Sequence, residues 1–245
     1  MYSTLTSEDI RTVTKATISA LKKLELYCCL VGSVACFEYG TSRTPNDIDM
    51  VVLGCVWTQE ELKRQVVATD SNFYTVASKD FRATYRVLYY RFPSSYTSGS
   101  TTSSSGYSRL LYTSSSNRRY GKNCKVDLLF PGIMNIPPVP RSRIYYKDNR
   151  SSKPLMPFLP LLLLKLQAWQ DHGESSKQWM RAKQPTDVAD ITELLNVAVT
   201  KYLDVKLKND EVWLPASFVD AAKRRVKLFT TRYPFTRSQW KLLGF

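Results

Sequence analysis

Apolar residues early in the chain return at helical spacing: Ile10, Val13, Thr17, Leu21 and Leu24 predict an amphipathic helix over residues 7–24. Thr6-x-x-Asp9 ahead of it reads as a capping box with Asp in the usual place of Glu. The period then changes. Residues 27–31 form a short continuous apolar run and read as a buried strand, and residues 34–39 read as a helix stopped by Gly40. A second apolar strand follows at 48–53, and Thr58-x-x-Glu61 caps another helix that runs to about residue 68. Residues 73–78 and 85–92 read as strands, the latter rich in strong β formers. Lys125 begins a further strand over 125–130, stopped by Pro131-Gly132.

Between the last two strands the pattern disappears. Residues 93–117 form an insertion dominated by Ser and Thr, with too little apolar surface to offset its ordering entropy. A long hairpin loop around a short strand near 110–112 is the expectation. Gly99 and Gly106 lie inside it, but the Gly-Lys-Ser/Thr ending of a phosphate-binding loop is missing. Residues 131–154, with Pro137, Pro138, Pro140 and Pro154, read as a linker. Helical spacing then predicts helices over 157–172, 186–203 and 215–230, with a short one at 237–243. Strands mixed with helices first, and helices alone afterwards, predict an α+β core with a helical C-terminal bundle. The expected division is 1–136 for the sheet-bearing core and 137–245 for linker and helices.

Composition narrows the partners. A chain of 245 residues with 43% hydrophobic content can bury a real core, and its net charge of +14 favours polyanions such as nucleic acid. The five cysteines form no Cys-x-x-Cys pair and His172 is the lone histidine, so a zinc site is not expected and the thiols read as reduced. Residues 1–6 lack the pattern of a signal peptide. The longest apolar run, around Leu161–Leu164, is broken by Lys165 far short of a bilayer span. A cytoplasmic protein, or a nuclear one, with no membrane partner is the expectation.

The candidate chemistry lies where the first helix-breaking glycine meets the second strand. Leu30-Val31-Gly32-Ser33 reads as strand end, turn and helix start, and Asp47-Ile48-Asp49 opens the next strand. Free N–H groups at a helix start bind phosphate, and paired carboxylates hold Mg²⁺, which in turn holds substrate phosphates. Asp47 and Asp49 are two apart on a strand and share one face. A third acid would complete a metal site and draw a proton from an acceptor hydroxyl. Asp127, within Val126-Asp127-Leu128-Leu129-Phe130, is the candidate, because an unpaired acid in an apolar strand is costly to bury. Each piece alone is ordinary turn or strand-end chemistry. The three in this order are far more specific.

In that order the residues resemble the polymerase-β-like nucleotidyltransferase superfamily, and within it the AbiEii-like and MenT-like toxin nucleotidyltransferases. The likeness spans roughly residues 26–200 and rests on Leu30-Val31-Gly32-Ser33, Tyr39-Gly40-x-x-Arg43, Asp47-Ile48-Asp49 and Val126-Asp127-Leu128-Leu129. It continues into a helix pair, Leu161-Leu162-Leu163-Leu164-Lys165-Leu166-Gln167-Ala168-Trp169 and Asp187-Val188-Ala189-Asp190-Ile191. The resemblance implies an α+β nucleotidyltransferase fold, a mixed sheet with flanking helices and a helical C-terminal subdomain, and Mg²⁺- or Mn²⁺-dependent transfer of NMP from an NTP to an acceptor hydroxyl. It also implies residue roles: Gly32, Ser33, Arg43 and Lys165 on the nucleotide phosphates, Asp47, Asp49 and Asp127 on metal, and Asp187 beside the acceptor or the lysine. Toxin-like relatives modify tRNA ends, which makes a tRNA-like RNA the preferred acceptor. The chain departs from that group in its Ser/Thr-rich insertion and in Thr186-Asp187, where Lys-Asp is typical.

Read without the resemblance, Lys165 follows four leucines and either snorkels or meets an anion. Asp187 sits in a first helical turn, where any acid is favoured. His172 ends a helix and is expected to meet its terminal carbonyls. Basic residues cluster at Arg141, Arg143, Lys147, Arg150 and Lys153, and again at Lys223, Arg224, Arg225, Lys227, Arg232 and Arg237. Tyr145, Tyr146, Tyr233 and Trp240 are interleaved, as for backbone contact with base stacking. A solvated basic face reads equally well. Nucleotidylation of a protein or small molecule, and an idle fold that only binds RNA, are the rival functions.

Overall fold

Five strands lie in the order β1-β2-β5-β4-β3: Tyr27–Val31, Asp47–Leu53, Asn123–Leu129, Arg86–Arg91 and Phe73–Ala77. This is a computed structural model, and it describes residues 5–80, 82–93, 122–147 and 153–245. β2 and β5 run parallel, and the other three pairings are antiparallel. The sheet is therefore mixed, as the resemblance implies. The middle of the sheet is apolar on both faces along Met50–Leu53, whereas β5 alternates strictly, burying Cys124, Val126 and Leu128 and leaving Lys125, Asp127 and Leu129 half-buried. That alternation puts a polar row on one face of an otherwise interior strand.

Three helices surround the strands: α1 (Ser7–Lys23), α2 (Gly32–Tyr39) and α3 (Gln59–Thr69). Both expected capping boxes form, Thr6 with Asp9 and Thr58 with Glu61. The remaining helices are α4 (Phe158–Glu174), α5 (Gln178–Arg181), α6 (Gln184–Lys201), α7 (Leu207–Asp210), α8 (Ala216–Arg232) and α9 (Arg237–Leu243). α4 and α6 pack as the central pair, with α2 leaning on both and on β1 and β2. Trp169, Phe229 and Trp240 fill the interior between α4, α8 and α9. α5 and α7 are single turns, too short to leave a period in the sequence.

Element bounds otherwise move by one or two residues, with α6 starting earlier because Pro185 suits a first helical turn. The expected strand at 110–112, most of the Ser/Thr-rich insertion and Arg150 lie outside the described residues. The proline-rich linker holds two 3₁₀ turns, Ile133–Asn135 and Arg141–Arg143. It is also stitched to the sheet. Tyr145 and Leu155 exchange backbone hydrogen bonds of 2.9 and 2.8 Å, Leu30 N–H donates to Pro154 at 2.8 Å, and Met156 N–H donates to Leu30 at 2.9 Å. All five cysteines are free, and burial pushes the Cys28, Cys36 and Cys124 thiols up to about 12. Among the described residues no helix is long and apolar enough to cross a membrane.

Candidate active site

Asp47 opens β2, and Asp49 follows on the same face of the strand. β5 runs parallel beside it, with Lys125 opposite Asp47 and Asp127 opposite Asp49. Parallel pairing thus brings the Asp-x-Asp of one strand against the Lys-x-Asp of the next. One carboxylate oxygen from each of Asp47, Asp49 and Asp127 lies within 4.8 Å of the other two. An all-carboxylate oxygen set of this kind suits a hard divalent cation such as Mg²⁺ or Mn²⁺.

Gly32 and Ser33 close the other side. β1 pairs antiparallel with β2, so Val31 stands opposite Asp49 and the chain turns at Gly32 directly above that carboxylate. Gly32 has φ of +65°, and a Cβ there would lie 2.0 Å from Asp49 Oδ2. Both the backbone and the contact demand glycine. Ser33 follows in the first turn of α2, a helix start with no side-chain cap. Its hydroxyl is buried and has no hydrogen-bond partner among the described residues. A buried hydroxyl left unpaired is costly, which marks the spot as one where a phosphate oxygen would be satisfied.

The acids repel one another. Burial, then Asp47 and Asp127, push the Asp49 carboxyl up to about 7, while Lys165 and Lys125 pull it back. Lys125 Nζ is ion-paired with Asp127. Its burial opposes the charge, yet the Asp127 bond and the neighbouring acids hold its pKa above the ordinary lysine value. Sequence reasoning missed Lys125, although the period of two between it and Asp127 was available.

A second ionic group stands behind the first. Asp190 on α6 is buried and accepts from Lys165 Nζ at 2.8 Å and from Arg43 Nε at 2.8 Å, with a second Arg43 bond to its other oxygen. Burial works against the Asp190 charge, but the Arg43 and Lys165 contacts hold its pKa below the usual carboxylate value. Lys165 also stays charged: burial opposes it, and Cys36 and Asp190 outweigh that. Glu193, one turn further along α6, accepts from Ser42 N–H at 2.7 Å and Ser42 Oγ at 2.6 Å. The loop carrying Arg43 is therefore clamped to α6 at two points. Asp190 stands in the helix-pair motif with no role assigned to it, and Glu193 was not singled out; their spacing of three on α6 is the signal that was available.

Asp187 is placed differently from Asp190. Its Oδ2 lies 2.5 Å from His172 Nδ1, and burial raises its pKa while His172 lowers it. The His172 side chain thus meets Asp187 rather than the terminal carbonyls of α4. Of the rings interleaved with the C-terminal basic residues, Trp240 is buried in the core and Tyr233 is half-buried against Phe229 and Trp169. Tyr145, half-buried, stacks on Tyr39 beside Tyr202. Composition alone cannot separate an interior ring from a surface one.

No protein-family model and no curated protein matches the sequence. Among solved structures the chain is similar to an antigenic nucleotidyltransferase-like protein from Paracoccidioides brasiliensis. The TM-score is 0.62 at 14% identity, covering 98% of this chain and 95% of that one. The chain therefore has a nucleotidyltransferase-like α+β fold, a mixed five-stranded sheet with flanking helices.

Proposed function

We propose that this protein is a nucleotidyltransferase that moves NMP from an NTP to an acceptor hydroxyl. The observation that carries the reading is the convergence of Asp47, Asp49 and Asp127 below Gly32 and the unpaired Ser33 hydroxyl. The fold likeness supports it. Residues 1–136 supply the acids and the phosphate turn; residues 137–245 supply Lys165 and the α6 carboxylates. The AbiEii-like and MenT-like toxin nucleotidyltransferases remain the group whose motif the chain most resembles.

Asp47, Asp49 and Asp127 would hold Mg²⁺ or Mn²⁺. When bound, the cation neutralises the triphosphate and aligns the attacking oxygen. The Gly32 and Ser33 N–H groups and the Ser33 hydroxyl take the β- and γ-phosphate oxygens. Lys165 and Arg43 face the same anion from α4 and from the loop before β2, both oriented by Asp190. The acceptor oxygen bonds to the α-phosphorus, the bond from that phosphorus to its bridging oxygen breaks, and pyrophosphate leaves. Asp127 takes the hydroxyl proton. Asp187, held by His172, lies one turn of α6 from Asp190 and borders the acceptor side.

RNA is the preferred acceptor, on the strength of a net charge of +14 and of exposed Arg141, Arg143, Lys147, Lys223, Arg224, Lys227, Arg232 and Arg237. The test is incubation with each labelled NTP, Mg²⁺ and total RNA or cell extract, comparing the wild type with Asp49→Ala. Label on RNA with the wild type alone supports the reading. Label on protein or a small molecule redirects the acceptor, and no label anywhere with RNA binding intact leaves an idle RNA-binding fold.

A further inference from the structure

α5 presents an aromatic side chain that the site described above does not use. Trp179 on this single turn is 60% exposed, and it is the one exposed indole among the five tryptophans. An indole left in water forgoes the large burial gain that places Trp169 and Trp240 inside. Its own turn is basic, with the acids Glu174 and Asp187 only at its two ends. Lys177, Arg181 and Lys183 are all exposed, and residues 175–186 contain no acid. The Lys183 and Lys177 ammonium groups lie 5.1 and 5.9 Å from the Trp179 ring centroid. Arg181 donates to the Ser175 and Ser176 carbonyls at 2.7 and 2.9 Å, which pins the turn that carries the ring.

The position of this turn matters as much as its chemistry. α6 starts directly after Lys183 and carries Asp187 and Asp190 one and two turns on. Asp187 bonds to His172, Asp190 bonds to Lys165, and Lys165 acts on Asp49. The turn carrying Trp179 thus leads along the chain into the helix whose ionic groups connect to the acid cluster. From α8, Arg225 donates to Gln170 on α4 at 3.0 Å beside Asp171 and Glu174, and the neighbouring Arg224 is exposed.

A rigidly mounted π-face between cations is what sequence-tolerant binding of single-stranded nucleic acid requires: bases stack on the ring and ammonium groups follow the phosphates. We infer that Trp179, with Lys177 and Lys183, is a stacking platform for the single-stranded end of an RNA acceptor. A duplex hides its base faces and fits the ring poorly. The inference rests on the nucleotidyl-transfer reading only for what happens at the end of the strand. Binding itself is independent of it.

The experiment measures fluorescence anisotropy of a labelled oligouridylate, a duplex of equal length and vesicles containing phosphatidylserine, each titrated with the full-length chain. Trp179→Ala should weaken oligouridylate binding about five-fold or more while leaving the salt slope unchanged. Trp179→Phe should restore most of the affinity. Lys177→Ala and Lys183→Ala should each lower the salt slope by about 0.7. Wild-type affinity in Trp179→Ala overturns the proposal. So does a Phe variant no better than the Ala variant, an equal loss on duplex, or vesicle binding with the same dependence on Trp179. Asp49→Ala separates the two readings: it should abolish NMP transfer and bind oligouridylate like the wild type. Trp179-dependent binding without transfer in any protein sinks the reaction and keeps the platform. Transfer to RNA indifferent to Trp179 does the reverse.

Discussion

Asp49 and Asp127 are direct register partners on the parallel strands β2 and β5, so their carboxylates leave the same face of the sheet side by side, with oxygens within 4.8 Å. Two adjacent acids on one face repel, and a divalent cation between them converts repulsion into attraction. Mg²⁺ or Mn²⁺ at about 100 times its dissociation constant should stabilise the fold by about 2.7 kcal/mol. Asp127→Asn should lose that gain while unfolding at a similar temperature without metal. Differential scanning fluorimetry with and without chelator reads both. A metal response unchanged in Asp127→Asn would remove this residue from the ligand set.

Ser33 offers a prediction in which stability and binding part company. Its hydroxyl is buried without a partner among the described residues. Ser33→Ala removes an unsatisfied group and should leave the free protein as stable as before, or more stable by about 1 kcal/mol. NTP affinity should fall nevertheless. Isothermal titration with a non-hydrolysable NTP, set beside urea unfolding, checks the pair. Parallel losses in both would mean that the hydroxyl has a structural partner.

Gly32→Ala should be damaging twice over. A left-handed backbone at φ of +65° costs an L-residue roughly 1–2 kcal/mol, and the new methyl collides with Asp49 Oδ2. The Asp49 side chain must swing out, so the variant should be destabilised and lose its cation response together. Gly54, also at positive φ but with nothing near, serves as the control. Gly54→Ala should show the backbone cost and keep the cation response.

Asp190 links stability to pH. Its folded-state pKa lies below the unfolded value, so its stabilisation is full above the ordinary carboxylate range near ~3.9 and disappears as pH falls through the lower folded value. Asp190→Asn should lower stability at pH 7 by about 3 kcal/mol, since Lys165 and Arg43 lose their common partner. It should also flatten the acid limb of the urea midpoint plotted against pH. An acid limb identical to the wild type would place the acid sensitivity elsewhere, with Asp9 the next candidate through its ion pair to Lys122.

The three acids and the glycine turn were legible because strands with fixed periods force a few residues into one place. Once β2 and β5 are identified, Asp47, Asp49 and Asp127 have only a choice of register left. The ionic layer behind them was less legible. Asp190 meets Arg43 and Lys165 only because α6 docks on α4 and on the loop before β2, and no local pattern encodes that docking. Aromatic residues misled for a related reason. Trp240 and Trp179 both sit near basic residues in the sequence, yet helix packing buries the first and leaves the second on a one-turn connection.

β1 lies at the margin of the sheet, where a strand ordinarily offers its free amides and carbonyls to any passing chain. Here both backbone groups of Leu30 are taken by residues 154–156, tethered in turn to Tyr145. The segment between the two halves of the molecule thereby blunts a template for intermolecular β-pairing. Leu155→Pro, which removes the amide donated to Tyr145, should loosen that guard and promote aggregation on concentration or warming, detectable by light scattering.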